Sequence, residues 1–302
     1  MRKLFIYIFL TLAPLSLGAQ ALPFTAADYN PATLAKGGAS LTETSSVAYS
    51  AFANPAAIAF YDGKVDASAG YTSWQPGSVK TSVISVGGTF KFGDKFGIAT
   101  GLAYEGYPEY IITDLTGYEN GTFKPTSMQL GVGFSYKIIP CLSIGANIGY
   151  ATETLAEGST YGAIDADVYA MVKFDGFKAT LGVSELGGKV TSASGTAFSI
   201  PSAANLGVGY SLQAGEKHGI DFNADAQYYF KGGIAAAIGA SYAYNDLVFV
   251  RAGYRYGGKT VIPSFASAGV GVKFYGVKLD LAYVLGSSAM ANTLALSLGY
   301  AF

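Results

Sequence analysis

The sequence predicts a transmembrane antiparallel β-barrel of about 14 strands, and three observations support this fold class. Forty Gly, 23 Tyr and 19 Phe accompany only 13% charged residues, too few to cover a water-facing surface with polar groups. After residue 20, no apolar run reaches the roughly 18 residues that a membrane-spanning helix needs. Segments of about ten residues with alternating apolar and small or polar side chains recur instead, which is typical of barrel strands.

The alternation is clearest in the last segment of the chain. One face carries Leu294, Leu296, Leu298, Tyr300 and Phe302, and small residues occupy the positions between them. The first face suits lipid and the second suits a crowded interior. The predicted strands span residues 64–73, 79–92, 95–106, 126–137, 141–151, 160–174, 176–186, 199–213, 217–230, 232–245, 247–256, 264–274, 277–286 and 293–302.

The predicted connections alternate between short and long. Short turns fall near residues 93–94, 139–140, 175–176, 214–216, 245–246 and 275–276, and longer loops at 74–78, 107–125, 152–159, 187–198, 257–263 and 287–292. Only the tight turn at 231–232 breaks this alternation. The alternation of short turns and long loops predicts a closed barrel in the bacterial outer membrane, with both barrel ends of the chain on the periplasmic side. The alternative, a soluble β-sandwich, would leave the aromatic faces in water.

The first residues have the order of a secretory signal peptide. Met1-Arg2-Lys3 precedes an apolar stretch, and Ala19-Gln20-Ala21 ends it with small residues. We therefore expect residues 1–21 to be removed, with cleavage after Ala19 as an alternative. An uncleaved membrane anchor is disfavoured because the apolar region is short.

Residues 22–62 do not alternate, and we expect them to form a hatch inside the barrel formed by residues 63–302. An Asn side chain can cap a short helix and Pro suits its first turn, while a pair of glycines lets the backbone approach the wall. A periplasmic tail is the alternative, but it would expose several apolar side chains. The candidate hatch motif comprises Gly37, Gly38, Asn54, Pro55 and Ala56.

A family resemblance rests on this same segment. Gly37-Gly38-Ala39, followed about fifteen residues later by Asn54-Pro55-Ala56 and Ala59, leads into the first strand. This pattern resembles the PorV/PorQ family of Bacteroidetes outer-membrane proteins, part of the wider FadL-like group of β-barrels. The resemblance implies a 14-stranded barrel with its N-terminal segment in the lumen, and an accessory role in type IX secretion. More distant relatives pass hydrophobic molecules.

The sequence predicts no enzyme and no cofactor. Gly253–Thr260 matches the letters of a P-loop, but it follows no strand-to-helix pattern that could cradle phosphate. His218 is the only histidine, expected in a solvated turn, and Cys141 is the only cysteine, so neither a histidine-based general-base site nor a cysteine-rich metal site is expected. Asp114 and Glu119 could hold calcium only weakly. A net charge of −1 and a pI near 5.9 argue against nucleic acid as a partner.

Charged side chains at inward positions have two possible roles. They could pair with one another and with the hatch to fill the barrel, or they could line a conducting path. The first half of the barrel is less charged, which leaves room for a small apolar pocket. The predicted lumen charges are Asp165, Asp167, Lys173, Asp221, Asp225, Arg251, Arg255, Lys278 and Asp280.

These observations lead to a first hypothesis of a non-enzymatic barrel that binds secreted or surface proteins through its outer loops. The expected contacts are the loop aromatics Tyr107, Tyr110, Tyr118 and Phe123, because exposed aromatic side chains suit recognition. The alternative is a FadL-like transporter of small hydrophobic molecules, and a structural barrel without cargo is the third possibility. Lipid is an expected partner under all three hypotheses.

The aromatic C-terminus predicts one further partner. Tyr300 and Phe302 end the last strand on the face expected to meet lipid. An aromatic terminus of this kind resembles the signal that the barrel-assembly machinery reads during insertion. We therefore expect Phe302 to act in assembly.

Overall fold

The computed structural model describes residues 20–74, 80–191, 195–258, 260, 262–286, 290 and 292–302. Fourteen strands form one closed barrel, in which every strand pairs antiparallel with its neighbours along the chain and the first pairs with the last. The prediction of a 14-stranded barrel is confirmed. The predicted signal peptide lies outside the described residues apart from Gln20 and Ala21.

The barrel strands are numbered β1 to β14 in chain order. They are β1 Val65–Trp74, β2 Thr81–Phe92, β3 Phe96–Gly106, β4 Thr126–Ile139, β5 Leu142–Ala156, β6 Ser159–Phe174, β7 Phe177–Leu186, β8 Ala203–Ala214, β9 His218–Tyr229, β10 Gly233–Tyr244, β11 Val248–Tyr256, β12 Phe265–Phe274, β13 Val277–Gly286 and β14 Thr293–Ala301. Among the described residues, no helix is both long and apolar enough to cross a membrane.

The outer surface of the barrel is a continuous apolar sheet. One row across four strands illustrates it: Val270 pairs with Leu281, Leu281 with Leu296, and Leu296 with Tyr71. All four side chains point outward because residues that pair directly share a face of the sheet. A surface of this size and composition suits lipid rather than water, which is why the alternation predicted a transmembrane barrel.

The two ends of the barrel differ, as the predicted connections required. Tight turns join strands at one end, for example Asp175–Gly176 between β6 and β7, and the longer loops lie at the other. Two of these loops contain small hairpins. The hairpins pair Tyr110–Thr113 with Glu119–Phe123 and Lys189–Thr191 with Ala197–Ser199.

The predicted loop at 152–159 is wrong. β5 continues to Ala156 and β6 begins at Ser159, with Thr154 still paired to Thr160. The apolar alternation ends earlier because polar residues such as Thr152, Glu153 and Thr154 follow one another here on both faces of the strand. Hydrogen bonding therefore continues where the hydrophobic signal has stopped.

The N-terminal segment lies inside the barrel and is largely buried. It contains four short helical turns, at Pro23–Ala26, Pro31–Leu34, Ser50–Phe52 and Pro55–Phe60. Glycines on the inner face of the wall make room for it. A Cβ added at Gly131 would lie 2.8 Å from the carbonyl oxygen of Ala51, so a larger residue there would collide with the segment. The small inward residues of the strands are thus explained by the segment they enclose.

Two Asn-Pro-Ala sequences start helical turns in this segment. Asn54 accepts a hydrogen bond from the backbone N–H of Ala56 at 3.0 Å, and Asn30 accepts one from that of Ala32 at 3.0 Å. Each Asn thereby satisfies a backbone donor that the helix cannot. The turn at Pro55–Phe60 is a 3₁₀-helix.

Candidate functional site

Two ion pairs link strands in the second half of the lumen to each other or to β1. Arg251 Nη1 lies 2.6 Å from Asp280 Oδ1. Lys278 Nζ lies 2.5 Å from Asp66 Oδ1, on β1. Each of these inward charges therefore has a partner of opposite sign close by.

The N-terminal segment contributes its own buried cation to this network. Lys36 Nζ lies 2.5 Å from Glu43 Oε2 and 2.7 Å from Asn223 Oδ1. Asp221 is 3.8 Å from Lys36 and 2.6 Å from Lys178. Burial lowers the pKa of Lys36, but Glu43 and Asp221 outweigh it and hold that pKa above its ordinary value. Lys36 therefore attaches the N-terminal segment to the barrel wall through an ion pair and a hydrogen bond.

Asp225 and Arg255 form hydrogen bonds inside the lumen, to the N-terminal segment and to the wall respectively. Asp225 Oδ2 accepts the backbone N–H groups of Ser40 at 2.8 Å and Leu41 at 3.0 Å. Arg255 Nη2 donates to Gln227 Oε1 at 2.7 Å. Neither side chain belongs to a salt bridge between described residues.

Asp165 and Asp167 on β6 lie in a different environment, near a bulge in the wall. The pairing of β6 with β7 shifts between Ala166 and Val168, and Glu185 adopts a φ of 55° there. Asp167 Oδ1 accepts the backbone N–H of Glu185 at 2.7 Å. One oxygen of Asp165 has no hydrogen-bond partner among the described residues.

A cavity of about 440 Å³ lies between the N-terminal segment and the barrel wall. It is at the end with the long loops, since Trp74, Tyr107, Ile262 and Met290 contribute to its lining. Most of its surface is apolar or aromatic, and its size is in the range of small-ligand sites. The aromatic lining residues include Phe24, Tyr29, Phe52, Tyr169 and Phe265.

The opposite end of the lumen is closed by the Pro55–Phe60 turn, whose side chains are all buried. A second space of about 230 Å³ lies beyond it, and no described residue lines both. Lysines surround this inner space. Lys91 Nζ donates to the carbonyl oxygen of Tyr61 at 2.5 Å, Lys173 Nζ to that of Phe60 at 3.5 Å, and Lys137 Nζ lies 5.4 Å from the centre of the Phe60 ring.

Tyr29 lies against the larger cavity and close to two buried carboxylates. Its hydroxyl is 3.0 Å from the carbonyl oxygen of Phe24 and 3.2 Å from Gln129 Oε1. Burial raises the pKa of Tyr29 well above its ordinary value, and the carboxylates of Glu105 and Glu185 raise it further. Burial also raises the pKa of Asp28, on the same segment, to about 6.

The four predicted outer-loop contacts are not equivalent. Tyr107 lines the cavity, and its hydroxyl lies 3.3 Å from Ser127 Oγ. Tyr110 donates to the carbonyl oxygen of Leu155 at 2.9 Å, and its ring lies tilted against that of Phe123, with 5.8 Å between ring centres. Tyr118 is 76% exposed. Tyr118 is therefore the most exposed of the four, and partner binding through them stays a prediction.

The C-terminus closes the barrel at the end with the tight turns. The carbonyl oxygen of Phe302 accepts the backbone N–H of Val65 at 2.9 Å. The side chains of Tyr300 and Phe302 are exposed on the outer face, with their ring centres 5.6 Å apart. Their role in assembly remains a prediction.

The residues considered for chemistry lie apart from the cavity. Gly253–Tyr256 is part of strand β11, and Lys259 lies outside the described residues. The side chain of His218 is not in a turn but at the start of β9, 2.7 Å from the hydroxyl of Tyr242. No group of His, Cys, Asp and Glu in the described ranges is placed to hold a metal ion.

Several cavity residues were not identified from the sequence, among them Tyr29, Glu105, Tyr169 and Glu185. Glu105 could have been found by extending the alternation of β3, because it has the inward parity of Ala103. Glu185 could not, because the bulge displaces it from the regular alternation of β7.

Comparison with solved structures shows which fold this is. The toluene transporter TbuX of Ralstonia pickettii matches with a TM-score of 0.62 over 92% of this chain and 99% of that chain, at 12% identity. The toluene transporter TodX of P. putida matches with a TM-score of 0.59 over 95% and 99%, at 16% identity. A Pseudomonas aeruginosa FadL homologue matches with a TM-score of 0.58 over 94% and 99%, at 12% identity.

The chain has the FadL-like fold. At these identities the likeness concerns the fold alone. No family model matches the chain, and no curated protein matches its sequence. The FadL-like architecture agrees with the wider group expected from the sequence. The narrower resemblance to PorV and PorQ receives no support from these matches.

Proposed function

We propose that this protein is a bacterial outer-membrane channel that passes small hydrophobic molecules. The observation that carries the proposal is the largely apolar cavity of about 440 Å³ between the N-terminal segment and the wall. The fold shared with transporters of toluene supports it. In this proposal the long loops face outward, the tight turns and both barrel ends of the chain face the periplasm, and residues 22–62 act as the hatch.

Passage requires the hatch to move or a path to open beside it. The Pro55–Phe60 turn closes the lumen below the cavity, and the 14 strands leave no gap in the pairing order. The bulge at Glu185 is one of the places where the register between neighbouring strands of the wall shifts. A molecule bound in the cavity would therefore leave it toward the periplasm only after the hatch moves or a path opens beside it.

Uptake of labelled ethylbenzene by cells that express the protein tests this proposal. Ala27 lines the cavity, so Ala27→Trp should fill it and lower uptake toward the level of cells without the protein. Ala252 is exposed on the outer face, and Ala252→Trp is the matched control that should keep full uptake. Equal uptake by both variants and by cells lacking the protein would reject the proposal.

A second candidate function is partner binding through the outer loops, in the manner of PorV-type accessory barrels of type IX secretion. The observation in its favour is the tip of the 110–123 hairpin, where Leu115 is fully exposed and Tyr118 is 76% exposed. Leu115→Ser with Tyr118→Ser should reduce crosslinking to secreted or surface proteins in native membranes. Unchanged crosslinking would argue against this role.

A further inference from the structure

The wall of the larger cavity carries more acidic than basic side chains. Its described lining includes Asp28, Glu43, Glu105, Asp167 and Glu185 but only one cationic side chain, that of Arg255. Lys36 balances Glu43 at 2.5 Å. No Lys or Arg nitrogen in the described part of the chain lies within 4.0 Å of the other four carboxylates.

Glu105 and Glu185 are the most informative of these carboxylates. They are only 5% and 8% exposed, and each has one carboxylate oxygen without a hydrogen-bond partner among the described residues. Leaving a buried carboxylate oxygen unpaired is costly, and most buried polar groups in proteins have partners. Both residues line the cavity, so a molecule in the cavity can supply the missing donor.

Arg255 does not supply that donor. Its Nη2 faces Gln227 Oε1 at 2.7 Å and the hydroxyl of Tyr229 at 3.4 Å. The carboxylates that it influences are those of Asp28, on the N-terminal segment, and Asp225, on β9. Glu105 and Glu185 therefore have no cation of their own.

The rest of the lining favours one chemical form of the missing donor. Tyr29, Tyr107 and Tyr169 line the same cavity as the two carboxylates. The faces of aromatic rings attract an ammonium group, and carboxylates pair with it. A metal ion fits less well, because the described His, Cys, Asp and Glu residues form no group placed to hold one.

We propose that this cavity binds an apolar molecule that carries a protonated amine, with the ammonium group held by Glu105 or by Glu185. The inference rests on the proposed transport of small hydrophobic molecules and names the class of molecule. A ligand of the same shape that carries a carboxylate is disfavoured, because it would meet the buried acidic side chains of Glu105 and Glu185 with no cation beside them among the described residues.

Three probes with similar apolar bodies test this: 2-phenylethylamine, ethylbenzene and phenylacetate. Binding to the purified full chain is measured by titration calorimetry in detergent, with the heat of partitioning into protein-free micelles subtracted. The amine should bind at least tenfold more tightly than phenylacetate. Glu105→Gln with Glu185→Gln should remove most of the advantage of the amine over ethylbenzene and leave ethylbenzene binding intact.

The control variant is Glu119→Gln with Glu216→Gln, which removes two exposed carboxylates outside the cavity lining and should keep the amine preference. A wild-type protein that binds phenylacetate as tightly as the amine overturns the inference without needing any variant. An amine preference that survives the Glu105 and Glu185 substitutions also overturns it. Ethylbenzene binding with no amine preference would leave the proposed function standing, whereas no binding of any probe would reject both.

Discussion

Asp66, on strand β1, contacts both strand β13 and the N-terminal segment, and its shortest contact is the one with Lys278. Its Oδ1 lies 2.5 Å from Lys278 Nζ, which connects β1 to β13 across the intervening β14. Its Oδ2 accepts the backbone N–H groups of Val47 at 2.8 Å and Ala48 at 3.2 Å. One buried carboxylate thus ties the closing strands of the barrel to the segment in the lumen.

Asp66→Asn should destabilise the folded barrel strongly. It leaves Lys278 buried without a counter-charge, for which a cost of about 3–5 kcal/mol is typical. The loss is measured as a lower unfolding temperature in detergent, followed by the change in gel mobility on heating. Asp62→Asn is the control, because Asp62 is exposed. Lys278→Met combined with Asp66→Asn should recover part of the loss, and no recovery would contradict the pairing argument.

Gly37→Ala should lower the free energy of unfolding more than the same change at another glycine of similar conformation. Gly37 has a φ of +72°, and a Cβ there would lie 2.6 Å from the backbone nitrogen of Tyr254. Gly215 has a φ of +68° with no atom within 4 Å of its Cβ position. Gly215→Ala should cost only about 1–2 kcal/mol of backbone strain. Gly37→Ala adds an overlap with the wall of about 1–3 kcal/mol, and equal unfolding midpoints for the two variants would refute this.

Asp28 should make the stability of the protein depend on pH. Its pKa is raised by burial from 3.8 to about 6, even though Thr33, Asn30, Arg255 and Lys36 all act to lower it. A raised pKa means that the folded state favours the protonated acid, so this contribution is complete below about pH 4 and is lost as pH rises through about 6.

The test compares the wild type with Asp28→Asn, which stays neutral. The stability of the wild type relative to this variant should fall between pH 4 and pH 7. Unfolding temperatures measured across that range for both proteins give the difference directly. A difference that is constant with pH would show that Asp28 does not titrate in this way.

Phe302→Asp should lower the amount of barrel in the outer membrane more than a matched charge elsewhere. Phe302 and Phe274 are 59% and 60% exposed on the outer face near the tight-turn end. A charge facing lipid carries a similar cost at both positions. Only Phe302 is the C-terminal aromatic, so Phe274→Asp is the control for insertion. Equal levels of the two variants in isolated outer membranes would count against an assembly role.

The sequence by itself determined the strands and their faces. Alternation at period two is a local property, so the outward row of Leu294, Leu296 and Leu298 could be read directly from the chain. It also indicated that the N-terminal segment lies in the lumen, because Asn54 and Pro55 start a compact turn outside the alternating pattern. The signal failed where strands continue through polar residues, as at Thr154 and Thr160.

Only the tertiary structure decided which inward charges have partners and where the cavity lies. Lys36 and Asn223 meet across 187 positions of the chain, and such a contact depends on closure of the barrel around its N-terminal segment. Glu185 enters the cavity wall through a bulge that shifts its register relative to β6. Distances between residues far apart in sequence follow from this packing, which the local alternation of side chains does not encode.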